Sequence, residues 1–463
     1  MEEVRIVSVQ MVAPAEPPNP SSFRESIKLT LYDRAMRFAL YQKRILFYNP
    51  VEPSSIDCHI QSLKGSLAQA LVSFYPLAGR LSSSSLEIDC STLSVQFTEA
   101  VTDATLGDLA IRPSSFCDKL CDMGSSPAWP WSPDLPLLFA QVTRFADGGI
   151  SVAIAFSHQV CDGVSGWHFF NSWAQIARDG VLRNPPVVSY EVEEQDMELE
   201  EAFEVAASIG YKVKKSASSP RDLSKLRESI SSRSMPQQLD VRLFRLDQSH
   251  ISELKSRCLE ETRASFSSYE VVCAYFWTLT ARHRGLRPDQ EAAIAILFDS
   301  RGRFAKVPEF YLGNAIATAI VSARVEDLTS KGIGYAAGLL HDAIVSMDEK
   351  KNQAQLKFMN HVMQTGFITE MEIDQASFSL VVSSPRHPVY ETDFGFGRPA
   401  GVTFGTNDLS DGKIYLFPSP AGNRGVEVTV VLHPERFTVE LALDVESIGF
   451  PQDILANSLK LIK

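Results

Sequence analysis

Residues 137–163 read LLFAQVTRFADGGISVAIAFSHQVCDG, and this stretch sets the local architecture of the first half of the chain. Two apolar runs are joined by Asp147-Gly148-Gly149, which is typical of a β-hairpin turn because glycine accepts positive φ. In the second run, four apolar side chains recur with period two and share one face of a strand: Ile150, Val152, Ile154 and Phe156. The hairpin therefore predicts that His158 emerges where a buried strand ends, with a helix following.

A histidine at the end of a buried strand is well placed to act as a base, because the strand holds the ring while the end stays open to a cleft. With an ordinary pKa of about 6.5, it can take a proton from a hydroxyl or an amine. Asp162 can hold the turn by accepting backbone N–H groups or by pairing with a distant arginine, and Gly163 follows where a side chain would crowd the turn. The alternative is a structural histidine followed by a helix-capping aspartate, because a motif with only two fixed letters, H-x-x-x-D, can be found by chance.

A second motif lies near the other end of the chain, where residues 393–399 read DFGFGRP. Together with the motif at 158–163, it resembles the BAHD acyltransferases, plant enzymes that use acyl-CoA thioesters and carry H-x-x-x-D and D-F-G-W-G motifs. Phe396 stands where the family has tryptophan, which is a conservative aromatic change. The resemblance runs from about Leu29 to about Val445 and includes family-like segments at residues 75–81, 265–277, 298–303 and 311–315.

This resemblance implies a mixed α/β fold (α+β) of two chloramphenicol-acetyltransferase-like domains. Each is expected to be a mixed β-sheet with flanking helices, and the active-site channel is expected at their interface. A length of 463 residues suits two or three domains. We expect an N-terminal domain at 1–180 with the H-x-x-x-D motif, a crossover linker at 181–237, where periodic patterns fail, and a C-terminal domain at 238–463 with the D-F-G-F-G motif.

The resemblance also implies direct transfer from acyl-CoA, bound as a co-substrate, with His158 as the general base and with no permanently bound cofactor. A covalent acyl-enzyme is not needed, so no serine or cysteine nucleophile is required. Asp162 is implied to be structural, because the equivalent aspartate of the family points away from the site and pairs with an arginine, which is Arg301 here. The second motif is implied to lie away from the chemistry, as a tight backbone built on Asp393, Gly395 and Gly397.

Arg386 is the main candidate for binding the acceptor. It lies seven residues before Asp393, where some hydroxycinnamoyl-transferring relatives hold an acceptor carboxylate with an arginine, and a guanidinium matches a carboxylate bidentately. A surface arginine, or a salt bridge to a neighbour such as Glu391, is an equal alternative. Thr30 and Tyr32 are expected to line the same pocket and to donate hydrogen bonds there.

The charge and cysteine content exclude several classes of protein. A formal net charge of −12 argues against a nucleic-acid partner, while a local basic pocket is enough for the CoA phosphates. The seven cysteines are scattered without metal-ligand spacing, so we expect reduced thiols, no metal site and a cytoplasmic location. No apolar run reaches membrane-spanning length and the N-terminus does not read as a signal peptide, so we expect no membrane span. The expected assembly is a monomer.

The leading functional interpretation is therefore an O-acyltransferase, with amine acylation as a variant that the same base allows. The acceptor is expected among plant specialised metabolites or cuticle- and hormone-related compounds, because residues 383–390 look closest to that branch of the family. Since the branch includes a member with lyase chemistry, elimination on the same scaffold is one alternative. A non-catalytic small-molecule-binding relative is another, although the intact motif residues argue against it.

Overall fold

The computed structural model describes residues 4–437 apart from a set of gaps. These gaps are residues 20, 22, 38, 53–54, 83–85, 108–113, 125–134, 192–195, 212–238, 305, 366–374, 406–408 and 423. The chain forms two compact units, and each combines three separate stretches of sequence.

The first unit comprises Met1–Glu193, Ser300–Ala315 and Pro388–Asp408, and the second comprises Glu194–Asp299, Ile316–His387 and Leu409–Lys463. The expected domains at 1–180 and 238–463 are each continuous, whereas residues 300–315 and 388–408 of the second half belong to the first unit. Periodicity along the chain reports local structure, so it does not show which later segments join the first unit. Within the expected linker, Leu199–Ser208 is helical, and residues 212–238 lie outside the described residues.

The first unit is built on a six-stranded sheet. Its strands are β1 (Val4–Val12), β3 (Tyr41–Tyr48), β6 (Val95–Thr102), β7 (Leu138–Arg144), β8 (Ile150–Ser157) and β13 (Gly401–Thr403), in the spatial order β1-β6-β7-β8-β3-β13. Strands β6 and β7 pair in parallel and the other neighbours are antiparallel. A small sheet has the order β2-β5-β4, from β2 (Ser26–Lys28), β4 (Arg80–Leu81) and β5 (Glu87–Asp89). The helices are α1 (Leu31–Ala35), α2 (Ile56–Ser73), α3 (Ser114–Asp118) and α4 (Gly163–Asp179).

The predicted hairpin forms the centre of this sheet. Leu138 pairs with Phe156 and Arg144 with Ile150, so the turn lies at the Asp-Gly-Gly sequence. Every residue of β8 is buried, because β3 and β7 flank it and side chains cover both of its faces. His158 follows directly after the last residue of β8, as predicted.

Helix α4 starts at the turn that contains His158. Asp162 is its N-cap, since the Oδ1 atom accepts a hydrogen bond from the Ser165 N–H at 2.8 Å. Gly180 ends the helix with a φ of 71°, a conformation that glycine adopts without strain. On its buried face, the Trp173 indole N–H donates to the Leu63 carbonyl of α2 at 3.0 Å. The turn before α4 is therefore anchored by a strand on one side and a packed helix on the other.

The second unit also contains a mixed six-stranded sheet. Its strands are β9 (Asp240–Leu246), β10 (Glu291–Asp299), β11 (Ile316–Arg324), β12 (Phe378–Val382), β14 (Lys413–Pro418) and β15 (Val426–Leu432), in the order β11-β10-β12-β14-β15-β9. Its helices are α5 (Leu199–Ser208), α6 (Gln248–Thr262), α7 (Ser268–His283), α8 (Val325–Ser330), α9 (Ile333–Val345) and α10 (Glu349–Thr365). The sequence Ser267-x-x-Glu270 predicts a capping box, and the two residues exchange hydrogen bonds at the start of α7. Among the described residues, no helix has both the length and the apolar character that crossing a bilayer requires.

Strands β3 and β11 are among those that the sequence pattern did not predict. Strand β3 carries Lys43 and Arg44, which favour an exposed segment, yet both are buried. The Lys43 ammonium donates to the Asp118 backbone oxygen at 3.1 Å and to its carboxylate at 3.3 Å, which satisfies the buried cation. Strand β11 is rich in alanine, a residue that is depleted in strands. The sequence pattern also predicts a strand at 437–443 and a helix at 452–461, but apart from Phe437 these residues lie outside the described part of the chain.

We expect Gly166→Ala to destabilise the protein, because a Cβ atom at this position of α4 would lie 2.6 Å from the Phe156 ring of β8. Overpacking of this kind typically costs about 1–3 kcal/mol. The matched control is Gly65→Ala in helix α2, where a Cβ atom would meet nothing within 4 Å. Since alanine is the better helix former, that change should raise stability by up to about 1 kcal/mol. Urea unfolding followed by fluorescence measures both, and equal stability of the two variants would contradict the packing described.

Candidate functional site

The His158 ring is held from one side by an amide. Its Nδ1 atom lies 3.2 Å from the Oδ1 atom of Asn314, and the Asn314 Nδ2 group donates to the His158 carbonyl at 2.9 Å. Because the amide nitrogen is used on the backbone, the amide oxygen faces the ring. An amide oxygen only accepts hydrogen bonds, so Nδ1 carries the proton and Nε2 keeps its lone pair in the neutral ring. The arrangement leaves His158 able to accept a proton at Nε2.

Asp162 and Arg301 form a buried bidentate ion pair. The Nη1 atom donates to Oδ2 at 2.9 Å and the Nη2 atom donates to Oδ1 at 3.1 Å. Their side chains are 2% and 3% exposed, respectively. The Asp162 carboxylate also accepts from the N–H groups of Ser165 and Ala315, both at 2.8 Å. Each oxygen therefore receives two hydrogen bonds, and the carboxylate is committed to the protein framework.

The charge state of Asp162 follows from this environment. Burial alone would raise the pKa of the carboxyl group, but the Arg301 guanidinium and the backbone N–H groups of Ser165 and Ala315 outweigh it. The pKa of Asp162 therefore lies below its ordinary value, and the residue is ionised at neutral pH.

Arg301 also joins the start of α4 to the loop at 311–315. Its Nη2 atom donates to the Ser165 hydroxyl at 2.8 Å and to the carbonyl oxygens of Gly313 at 3.0 Å and Tyr311 at 3.1 Å. The Ser165 hydroxyl in turn donates to Gly313 and accepts from its N–H group at 3.1 Å. This network locates the loop that carries Asn314 relative to His158.

The loop at 393–397 packs on α4 rather than on the histidine. The Asp393 carboxylate accepts from the N–H groups of Gly395 at 2.8 Å and Gly397 at 3.1 Å. Both glycines have positive φ, at 101° and 109° respectively, which other residues adopt only with strain. The Phe394 ring lies 5.0 Å from that of Trp173, and Phe396 contacts Tyr48 edge to face at 4.9 Å. The Phe396 ring thus packs against this aromatic cluster and is half-buried.

The candidate acceptor residues occupy different environments. Arg386 is exposed and belongs to the second unit, with its backbone N–H donating to the Ser384 hydroxyl at 3.2 Å. Thr30 and Tyr32 are buried in the first unit. The Thr30 hydroxyl caps α1 and donates to the Asp33 carboxylate at 2.7 Å. Gly163 is the first residue of α4 and follows the capping Asp162 directly.

Cys161 lies within the motif but is poorly suited to be a nucleophile. Burial raises the pKa of its thiol far above the ordinary value, and the neighbouring Asp162 carboxylate adds to the effect. A protonated, buried thiol is a weak nucleophile. Across the described residues, no group of three acidic, histidine or cysteine side chains is arranged to hold a metal ion.

The residues that sequence reasoning missed are Asn314 and Asp33. Asn314 lies in the family-like segment 311–315, which gave no indication of a contact with His158. Asp33 forms a capping box with Thr30, so the pattern T-x-x-D before an apolar run was its available signal. Neither contact follows from the sequence, because Asn314 is 156 residues from His158 and 281 from Asp33.

Comparisons with known proteins agree with this architecture. The family model described as the Transferase family matches residues 2–439. Shikimate O-hydroxycinnamoyltransferase of Nicotiana tabacum is 29% identical, over 94% of this chain and 97% of the relative. Anthranilate N-benzoyltransferase protein 1 of Dianthus caryophyllus is also 29% identical, over 94% of this chain and 98% of the relative.

A solved structure shares the fold. TRI101 of F. sporotrichioides, complexed with coenzyme A and T-2, superposes with a TM-score of 0.66 at 16% identity, over 92% of this chain and 98% of that one. The predicted mixed α/β fold with two domains is thereby confirmed. Because the family model covers nearly the whole chain, the predicted membership is confirmed as well. The chain belongs to the Transferase family and is one of the BAHD acyltransferases, enzymes that take their acyl group from coenzyme A thioesters.

Proposed function

We propose that this protein transfers an acyl group directly from an acyl-CoA to a hydroxyl group of a small plant metabolite, with His158 as the general base. The observation that carries the proposal is the orientation of the His158 ring, whose Nδ1 faces the Asn314 amide oxygen at 3.2 Å and whose Nε2 is left as the basic atom. A base in this tautomer can take the acceptor proton as the new bond forms.

The reaction follows from that single base. The acceptor oxygen attacks the thioester carbonyl while its proton moves to the Nε2 atom of His158. The tetrahedral intermediate then collapses, the C–S bond breaks, and the proton on the imidazolium is returned to the departing thiolate to give free CoA. General base catalysis contributes roughly 10²–10⁴-fold to such a step. Asp162 and Arg301 take no part in the proton transfer, because their hydrogen bonds are used within the protein.

The acceptor is proposed to be a plant specialised metabolite or a cuticle- or hormone-related compound. The relatives support both an oxygen and a nitrogen acceptor, since one is named an O-hydroxycinnamoyltransferase and another an N-benzoyltransferase. Arg386 is proposed to bind a carboxylate of the acceptor, and its exposed position supports this role. Thr30 is a weaker candidate for this role, because its hydroxyl already donates to Asp33.

We further propose a cytoplasmic monomer whose partners are acyl-CoA and the acceptor, with CoA bound as a co-substrate and no resident cofactor. A neighbour in fold that was solved with coenzyme A supports the co-substrate. The free thiols of all seven cysteines support a reducing compartment.

The assay that separates the candidate functions measures free thiol release from a panel of CoA thioesters, with and without plant hydroxylated metabolites. Acyl transfer predicts thiol release that depends on the acceptor, together with an acylated product by mass spectrometry. Elimination from a single substrate without thiol release would identify a lyase instead. Binding of ligands without any turnover would identify a non-catalytic relative.

Replacing the base gives the most direct test. His158→Ala should lower kcat by roughly 10²-fold or more while the protein stays folded, because the base that takes the proton of the attacking hydroxyl group is then missing. His168→Gln is the matched control, since His168 packs on Phe74 and its Nε2 atom is bonded to the Asn184 carbonyl. That control should keep its turnover. Near-wild-type kcat in His158→Ala would overturn the proposed base.

Asp162→Ala should lower both the melting temperature and the activity, because it leaves the buried Arg301 without its counter-ion. Removing one partner of a buried pair typically costs about 3–5 kcal/mol. The control is Asp103→Ala, which breaks an exposed pair with Arg5 and should leave the melting temperature nearly unchanged. If both variants melt at the wild-type temperature, Asp162 is not the structural residue proposed.

The Asp162 pair also predicts a pH dependence of stability. Because its folded-state pKa is lowered, the stabilisation is fully present above the ordinary carboxyl pKa of about 3.9 and is lost as the pH falls below it. In Asp162→Asn, the free energy of unfolding should therefore fall less steeply than in the wild type between about pH 5 and pH 2. Urea unfolding across that range measures the difference in slope.

Arg386→Ala should raise the KM for a carboxylate-bearing acceptor about ten- to a hundredfold and leave the KM for acyl-CoA nearly unchanged, since a charged hydrogen bond is worth roughly 1.5–3 kcal/mol. Arg386→Lys should rescue only part of the loss, because an ammonium group lacks the planar fork. Arg287→Ala, at an exposed arginine of the same unit, is the control. Unaltered acceptor kinetics in Arg386→Ala would show that the residue is only a surface arginine.

A further inference from the structure

Asp33 is a buried carboxylate that the proposed mechanism does not use. It is 3% exposed and lies in the short helix α1, where it accepts hydrogen bonds from the Thr30 N–H at 3.0 Å and the Thr30 hydroxyl at 2.7 Å. The Tyr311 hydroxyl approaches the same oxygen, Oδ2, at 3.1 Å. Burial raises the pKa of Tyr311 far above its ordinary value, so this phenol is protonated and donates to Asp33.

The other oxygen of Asp33 faces Asn314. Oδ1 accepts from the Asn314 backbone N–H at 2.7 Å and from its side-chain Nδ2 group at 3.0 Å. The two carboxylate oxygens thus have separate partners, with Oδ2 on the helix cap and Oδ1 on the residue that contacts His158. A capping role alone requires only the Oδ2 side.

The contact with Oδ1 fixes which way the Asn314 amide points. Its Nδ2 group has two hydrogens, and both acceptors within reach are oxygens: Asp33 Oδ1 at 3.0 Å and the His158 carbonyl at 2.9 Å. A reversed amide would place its own oxygen against these two oxygens and would lose both bonds. The amide oxygen is therefore directed at the His158 Nδ1 atom, 3.2 Å away.

The charge on Asp33 does not alter this orientation. Burial raises the pKa of Asp33, and hydrogen bonds from Thr30 and Asn314 oppose the rise. Were the carboxyl group protonated, the proton would reside on Oδ2, where a hydroxyl group can turn to accept it. Oδ1 receives two N–H groups and keeps Asn314 in place in either state.

We infer that Asp33 is a positioning residue for the transfer reaction: through Asn314 it holds His158 in the tautomer that carries its proton on Nδ1 and leaves Nε2 unprotonated. This inference rests on the proposed function, since it assigns a use to the base named there. Asp33 contacts the amide of Asn314, which in turn contacts the His158 ring. Its effect on catalysis passes entirely through the amide of Asn314.

The direct test reads the tautomer without any substrate. In protein labelled with ¹⁵N-histidine at about pH 8, above the ordinary histidine pKa of about 6.5, the ring nitrogen shifts report which atom carries the proton. His158→Gln identifies the signals. The wild type should show a protonated Nδ1 and a bare Nε2. A ring protonated on Nε2 overturns the inference, and this result does not depend on a variant of Asp33 or Asn314 being able to fold.

Variants then separate positioning from capping. Asp33→Ala should lose the single tautomer and lower kcat about 10- to 100-fold, with the KM for acyl-CoA little changed. Tyr311→Phe removes a hydrogen bond to the same carboxylate on the Oδ2 side, and it should keep the wild-type tautomer. If Asp33→Ala keeps that tautomer as well, Asp33 is only a helix cap and the inference is wrong.

A double-mutant cycle tests the route through Asn314. In an Asn314→Ala background, Asp33→Ala should lower kcat by less than about twofold, because the amide it orients is already absent. Full additivity of the two losses would overturn the inference. The outcomes are distinguishable from failure of the proposed function, since normal turnover in His158→Ala would remove the base while the tautomer measured by NMR would stand.

Discussion

The buried pair of Asp162 and Arg301 is the interaction on which the arrangement of the first unit depends. Two charges are removed from water there, at a cost that their attraction offsets only when the remaining hydrogen-bonding groups are also satisfied. The structure meets that condition, since the carboxylate caps α4 and binds Ala315 while the guanidinium binds Ser165 and two carbonyl oxygens. A pair saturated in this way has one geometry, and the positions of α4 and of the loop at 311–315 follow from it.

The loop at 311–315 contacts the His158 ring through a neutral group, the side-chain amide of Asn314. Asn314 stands between the buried carboxyl group of Asp33 and the ring of His158, so this acidic group lies one residue removed from the imidazole. A carboxylate in direct contact would favour the imidazolium form in the resting enzyme. An amide orients the ring without supplying a full counter-charge, which suits the proposed role of His158 as a base that begins the reaction neutral.

How much of this site the sequence predicts depends on how far apart along the chain the contacting residues are. The hairpin and the position of His158 at the end of its second strand are local, and turn chemistry with period-two spacing predicted both of them, while a capping Asp162 was one of two alternatives for that residue. The partner Arg301 was reached by resemblance to the family and not by any local pattern. The contact between Asn314 and Asp33 was not predicted, because periodicity carries no information about a contact between residues 281 positions apart. Strand β3 was not predicted for another reason. Its Lys43 reads as an exposed residue, but it is buried because Asp118, in a distant segment, accepts its hydrogen bond.

The composition of the first unit has a consequence for attempts to divide the protein. Arg301 and Asn314 are carried by the stretch between β10 and β11, two strands of the other unit. A fragment that stops at residue 180 keeps Asp162 but lacks the guanidinium, and an uncompensated buried charge costs about 3–5 kcal/mol. The same holds for a chimaera that exchanges halves between two such enzymes, unless both parents supply matching partners for this carboxylate. A crossover anywhere between residues 163 and 300 therefore separates His158 and Asp162 from the partners that surround them, because Arg301 and Asn314 are then encoded by the other parent.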